Sequence, residues 1–149
     1  MNRVKAALSG TIVGLVFIAL MYSSSYAVEP IRLTERTLSG SPIGRHVEYC
    51  EDTTGALSLQ SLLENTARGT VAWKASAHES LGFGFTNSAY WIRFTVVNER
   101  SEPLEWYFDT GYPLNREVDL YVPRGGGFIL KQEGVRYVYG EREFDHHNI

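Results

Sequence analysis

Scarcity says the most about this chain at first sight. It has a single cysteine, Cys50, in 149 residues, so an intrachain disulfide framework is ruled out. A lone thiol reads as a small apolar residue buried on a strand, with a thiol trap or an intermolecular bridge as the alternative. Positive charge is also short, at 14 Lys and Arg against 17 Asp and Glu. Phosphate backbones call for a basic surface, so nucleic acid is not an expected partner. Catalytic signatures are missing too: no G-x-S-x-G elbow, no H-E-x-x-H helix and no paired cysteines occur. Carboxylates are numerous, but no acid–base pair can be singled out among them. The one metal-like cluster is Asp145, His146 and His147, and adjacent histidines on a strand point to opposite faces. His46 and His78 are too remote in sequence to be assigned as partners, so a solvated terminus or the start of a strand is the better reading. The expectation is a non-enzymatic chain with no cofactor and no metal.

What is present begins with a leader. Arg3 and Lys5 precede an uncharged, apolar or small stretch over residues 6–21, and small residues Ser25 and Ala27 occupy the −3 and −1 positions of a cut after Ala27. That three-part layout is a secretory signal peptide, with an uncleaved anchor as the rival. Removing Arg3 and Lys5 from the 14 basic residues leaves 12 against 17 acidic ones, so the exported remainder, residues 28–149, is more acidic still. Its length suits one domain.

The densest pattern lies between residues 86 and 121. Residues 90–98 alternate, with Tyr90, Ile92, Phe94 and Val96 on one side and Trp91, Arg93, Thr95 and Val97 on the other. A polar turn with Pro103 follows, and residues 104–109 resume the alternation with Leu104, Trp106 and Phe108 on the apolar side. Residues 118–122 repeat it with Val118, Leu120 and Val122. Three short strands with turns between them predict an antiparallel meander with one apolar and one mixed face.

Flanking elements are shorter. Residues 31–33 and 45–50 read as strands, and residues 71–73 as a packing patch around Trp73. Ser58 is placed to cap a short helix with Leu59, Leu62 and Leu63 on one face and Gly69 past its end. That helix is expected to lie across an opening of the sandwich. Glycines between Leu81 and Phe85 suit a bend close to the sheet. Residues 124–127 form a hairpin turn, residues 128–131 the returning strand, and residues 134–139 a further short strand.

The run N-S-A-Y-W-I-R-F-T-V-V-N from Asn87, followed by E-W-Y-F, V-D-L-Y-V, a glycine turn and a later G-V…R, resembles the type 2 extracellular domain of bacterial seven-transmembrane receptors with diverse intracellular signalling modules. The resemblance extends from about Ile31 to the C-terminus. It implies an all-β, jelly-roll-like antiparallel β-sandwich, here with one short helix and preceded by the signal peptide. It also implies a periplasmic position and a role in carbohydrate sensing. Arg142 is the best match to an arginine that follows the glycine loop in that family. The family domain continues for two to four more strands, so the chain is expected to be incomplete at its C-terminal end, with membrane contact only through a missing receptor portion or an uncleaved leader.

The mixed face supplies the candidate site. If the apolar registers point inward, Trp91, Arg93, Tyr107, Asp109, Asp119 and Tyr121 project from the opposite side. Aromatic faces stack on the apolar sides of sugar rings, and Asp and Arg hydrogen-bond the hydroxyls. The competing reading is that the helix or the N-terminal segment covers this face and these residues pack internally. A small polar ligand such as a carbohydrate is the partner expected on the first reading; a structural or protein-contact module, with self-association, is expected on the second.

N-terminal sequencing of the exported protein should start at Val28. A start at Met1 with retention in the membrane would instead identify an anchor.

Overall fold

The structure, a computed structural model, describes residues 3–8, 28–37, 40–112 and 115–136. In chain order these form β1 (Arg3–Leu8), β2 (Ile31–Leu33), β3 (Glu48–Asp52), α1 (Leu59–Ala67), β4 (Lys74–Ala75), β5 (Ala89–Phe94), β6 (Val96–Asn98), β7 (Glu117–Arg124) and β8 (Gly127–Glu133). The chain is all-β with one short helix. Six strands make one sheet in the order β4-β3-β5-β1-β7-β8, and β2 pairs with β6 separately. β3 is antiparallel to β4 and to β5, and β7 to β8. The ladders of β1 with β5 and β7, and of β2 with β6, are parallel. No helix among the described residues is long and apolar enough to cross a membrane.

The period-two pattern of residues 90–98 sets the core. Ile92, Phe94 and Val118 pack with Val47 on one side of the large sheet, and Ile31, Val96, Trp106, Phe108 and Leu120 close over them. Phe108 tilts against Phe94 at 5.2 Å between ring centroids. The alternation runs without a break in sequence but not in space. At Thr95 the chain changes sheets, so β5 pairs in the large sheet while β6 joins β2. That link is tied by the Ile31 amide, which donates to the Thr95 carbonyl at 2.8 Å.

Residues 104–109 depart from expectation. Their burial alternates as predicted, with Leu104, Trp106 and Phe108 half-buried and Glu105, Tyr107 and Asp109 exposed, yet they form no strand. Side-chain packing on the core enforces the in–out pattern without backbone pairing. Of residues 134–139, the described part, 134–136, is a turn.

Local rules decide the ends of elements. The Ser58 hydroxyl accepts from the Ser61 amide at 3.2 Å and caps α1. Gly125 and Gly126, at φ +58 and +83, close the β7–β8 hairpin in a conformation that side chains resist. Gly44 is needed for a different reason: a Cβ there would sit 2.3 Å from the Glu79 carbonyl oxygen.

The helix does not lie across an opening. Leu62 drives into the other side of the sheet against Cys50 and Trp91, with Leu57, Leu59, Val71, Trp73 and Tyr121 around them. Trp91 is completely buried there. β5 is thus covered on both faces, which explains why Ala89, Tyr90, Trp91 and Ile92 are all buried in succession.

The approach to α1 hangs on Asp52. Its Oδ1 accepts from the amides of Thr54 and Gly55 and the Thr54 hydroxyl, and its Oδ2 from the Leu57 amide at 2.8 Å. Burial alone would raise this carboxyl, but the converging donors outweigh it and hold it below the ordinary value.

Two outcomes follow. Trp91→Ala and Phe94→Ala should each cost about 3–5 kcal/mol in denaturant unfolding, because both remove a buried ring. A Trp91→Ala protein with an unchanged melting temperature would contradict the burial. Asp52→Asn should lower stability at pH 7. With the folded carboxyl depressed, its contribution is complete above the unfolded value, about 4, and is lost as pH falls through the folded one. The gap between wild type and Asp52→Asn should therefore close under acid; a gap constant with pH would refute this role.

Candidate functional site

The six described candidates come from β5, β7 and the irregular segment between them, and the sheet divides them. On the α1 side stand Trp91, Arg93 and Tyr121. The Tyr121 ring stacks on Trp91 at 5.8 Å, and the helix closes over the pair. Arg93 lies opposite Glu48 in the antiparallel β3–β5 register, and its Nε donates to the Glu48 carboxylate at 2.7 Å. The same guanidinium lies 4.3 Å from the centre of the Trp73 ring. Trp73 in turn donates its ring N–H to the Thr66 hydroxyl at 3.1 Å, tying the far end of α1 to this arrangement. Cation, carboxylate and indole are therefore satisfied among themselves. Burial pushes the neighbouring Cys50 thiol up to about 11, with Arg93 opposing and Asp52 adding to the shift.

Asp119, on β7, accepts from the Gln132 side chain on β8 at 3.0 Å, a direct cross-strand pair. Tyr107 and Asp109 stand elsewhere. Trp106 and Phe108 anchor their segment to the Val47–Ile92–Phe94–Val118 core, on the opposite side of the sheet from Trp91. Tyr107 and Asp109, alternating with those anchors, are exposed; Tyr107 is 64% exposed and the nearby Tyr112 46%. The segment turns on its own hydrogen bonds: Asp109 accepts from the Gly111 amide at 2.7 Å, and the Asn115 side chain donates to the Thr110 hydroxyl at 2.9 Å. Arg142 lies outside the described residues, as do Asp145, His146 and His147.

The expected single mixed face therefore resolves into a covered group around Trp91, a cross-strand pair at Asp119, and an exposed aromatic–acid segment at residues 107–112. Glu48, which pairs with Arg93, escaped the sequence reading, while Trp73, read there as packing, packs beside Trp91 and under the guanidinium. The signal for Glu48 is the β3–β5 register, which no local pattern displays.

Two surface grooves lie away from these residues. One, of about 490 Å³, is lined by Thr34, Glu35, Arg36, Glu99, Arg100 and Ser101. Three of its charged groups are paired, Arg100 with Glu35 at 2.9 Å and Glu99 with Arg32. The other, of about 300 Å³, runs between the entry to β2 and His46. Among the described residues no group of three or more His, Cys, Asp or Glu is arranged to hold a metal ion.

Comparison with curated proteins and with solved structures finds no match. Comparison with known families matches residues 44–149 to the 7TMR-DISM extracellular 2 domain. That span holds the whole large sheet except β1, together with α1 and every described candidate residue. The chain belongs to the 7TMR-DISM extracellular 2 family, the extracytoplasmic sensor domains of seven-transmembrane receptors.

Proposed function

We propose that residues 28–149, once freed of a leader cut after Ala27, act as a carbohydrate-sensing domain of jelly-roll type. The observation that carries this reading is the exposed aromatic–acid segment, where Tyr107, Asp109 and Tyr112 face solvent on a backbone held in place by Trp106 and Phe108. An exposed ring on a fixed backbone offers a stacking platform at little ordering cost, and the carboxylate beside it accepts from sugar hydroxyls. Phe85, at 99% exposure on the loop before β5, is a further ring open to solvent. Trp91 and Tyr121 serve this reading as the packed support of the sheet, and Arg93 as the clamp between β3 and β5.

A specific feature favours a protein-contact module as the second reading. β8 forms one edge of the large sheet, and Phe128, Ile129 and Leu130 are exposed in succession along it. Such an edge templates pairing with another chain.

A glycan-array screen separates the two. Sugar hits that Tyr107→Ala weakens about two- to ten-fold, at an unchanged melting temperature, support sensing through this segment, as expected for a lost stacking contact of ~0.5–1.5 kcal/mol. An empty array together with concentration-dependent association in gel filtration favours the protein-contact reading.

A further inference from the structure

The large sheet is joined across its middle by a strand that sequence reasoning assigns to the leader. β5 and β7 do not pair with each other; β1 lies between them and is parallel to both. Its register is continuous. Val4 aligns with Tyr90 and Val118, Ala6 with Ile92 and Leu120, and Leu8 with Phe94. Those positions are the core register of β5 and β7. Lys5 aligns with Trp91 and Asp119.

Each ladder is long, covering residues 3–8 against β5 and residues 3–7 against β7. Without β1 the sheet would part into a β4-β3-β5 half and a β7-β8 half, and two inner edges would lose their partners. Buried backbone donors and acceptors need partners, so the gap demands an extended strand. β1 is also the one strand of this sheet outside the matched family span, which begins at residue 44. The gap thus belongs to the domain, while its occupant is supplied from outside it.

We propose that the gap between β5 and β7 is an exchangeable strand-binding site, and that Arg3–Leu8 fills it as a placeholder while the leader remains attached. The ligand class is an extended peptide of about six residues that runs parallel to β5, with apolar residues at alternate positions in the register of Val4, Ala6 and Leu8. Recognition is by main-chain pairing on both sides, the bilateral form of strand addition. A strand carried on the same chain competes as an intramolecular ligand, at an effective concentration on the order of 1 mM, so a free strand competes only near that level. Leader removal after Ala27 abolishes this advantage and leaves the gap open to a strand in trans.

The test uses the full chain and a labelled synthetic peptide of residues 1–10. Wild-type protein should capture the peptide only as its concentration nears 1 mM, the level of the tethered competitor. The Ala6→Pro full chain has a β1 that can no longer pair on both sides, since proline removes a donor and disfavours central strands. It should half-saturate at a peptide concentration about ten-fold lower or less. The same peptide carrying Ala6→Pro should bind neither protein. Should the Ala6→Pro chain not fold alone, recovery of soluble monomer on refolding with the wild-type peptide supports the site, and no recovery overturns it. Equal binding of both peptides, or no binding to a folded Ala6→Pro chain, also overturns it.

Discussion

Burial of β5 on both of its faces is the constraint on which the rest of the domain depends. A strand that alternates Ile92 and Phe94 with Trp91 needs two covers, and this chain builds them from different material. On one side irregular segments and the small β2–β6 pair bring Ile31, Val96, Trp106 and Phe108 over the core. On the other, the nine residues of α1 place Leu62 against Trp91 and Cys50. The helical cover is then fastened by polar groups at both ends: the Asp52 carboxylate gathers the chain entering α1, and the Thr66 hydroxyl receives the Trp73 ring N–H beyond it. The remaining strands extend the sheet outward from this doubly covered centre.

Much of this was legible locally. The alternation of residues 90–98 and 118–122 identified the inward registers, and Ser58 marked the start of the helix, because both depend on neighbours a few residues away. Pairing was less legible. Residues 104–109 carry a strand's pattern of exposure without a ladder, since a packed irregular segment obeys the same in–out rule as a strand. Thr95 gives no hint that the chain changes sheets there. The partner of each strand is set by distant segments, and Arg93 shows the cost to site prediction: its carboxylate comes from Glu48, 45 positions away.

The candidate site illustrates the same limit. A mixed face is either a binding surface or a surface awaiting a cover, and residue type does not separate the two. Trp91 has the chemistry of a stacking platform but sits under a helix, whereas Tyr107 shares that chemistry and faces solvent. Which one is covered depends on where Leu62 and Trp106 land, and that is decided by the three-dimensional packing of α1 and of residues 103–112. The stretch that sequence reasoning assigns to a leader is a parallel case. Val4, Ala6 and Leu8 satisfy both the composition of an export signal and the alternation of an inner strand.

Cys50 has a consequence for the compartment in which the domain works. Outside the cytoplasm thiols are oxidised readily, and a protein with one cysteine has no internal partner to give it. The reactive species is the thiolate, and with the Cys50 thiol pushed up to about 11 almost none of it exists at neutral pH. The side chain is also buried, packed against Leu62 of α1 and Trp91 of β5. The packing that Leu62 imposes on Trp91 therefore also protects the domain chemically, sparing a single-cysteine receptor domain from cross-linking to its neighbours.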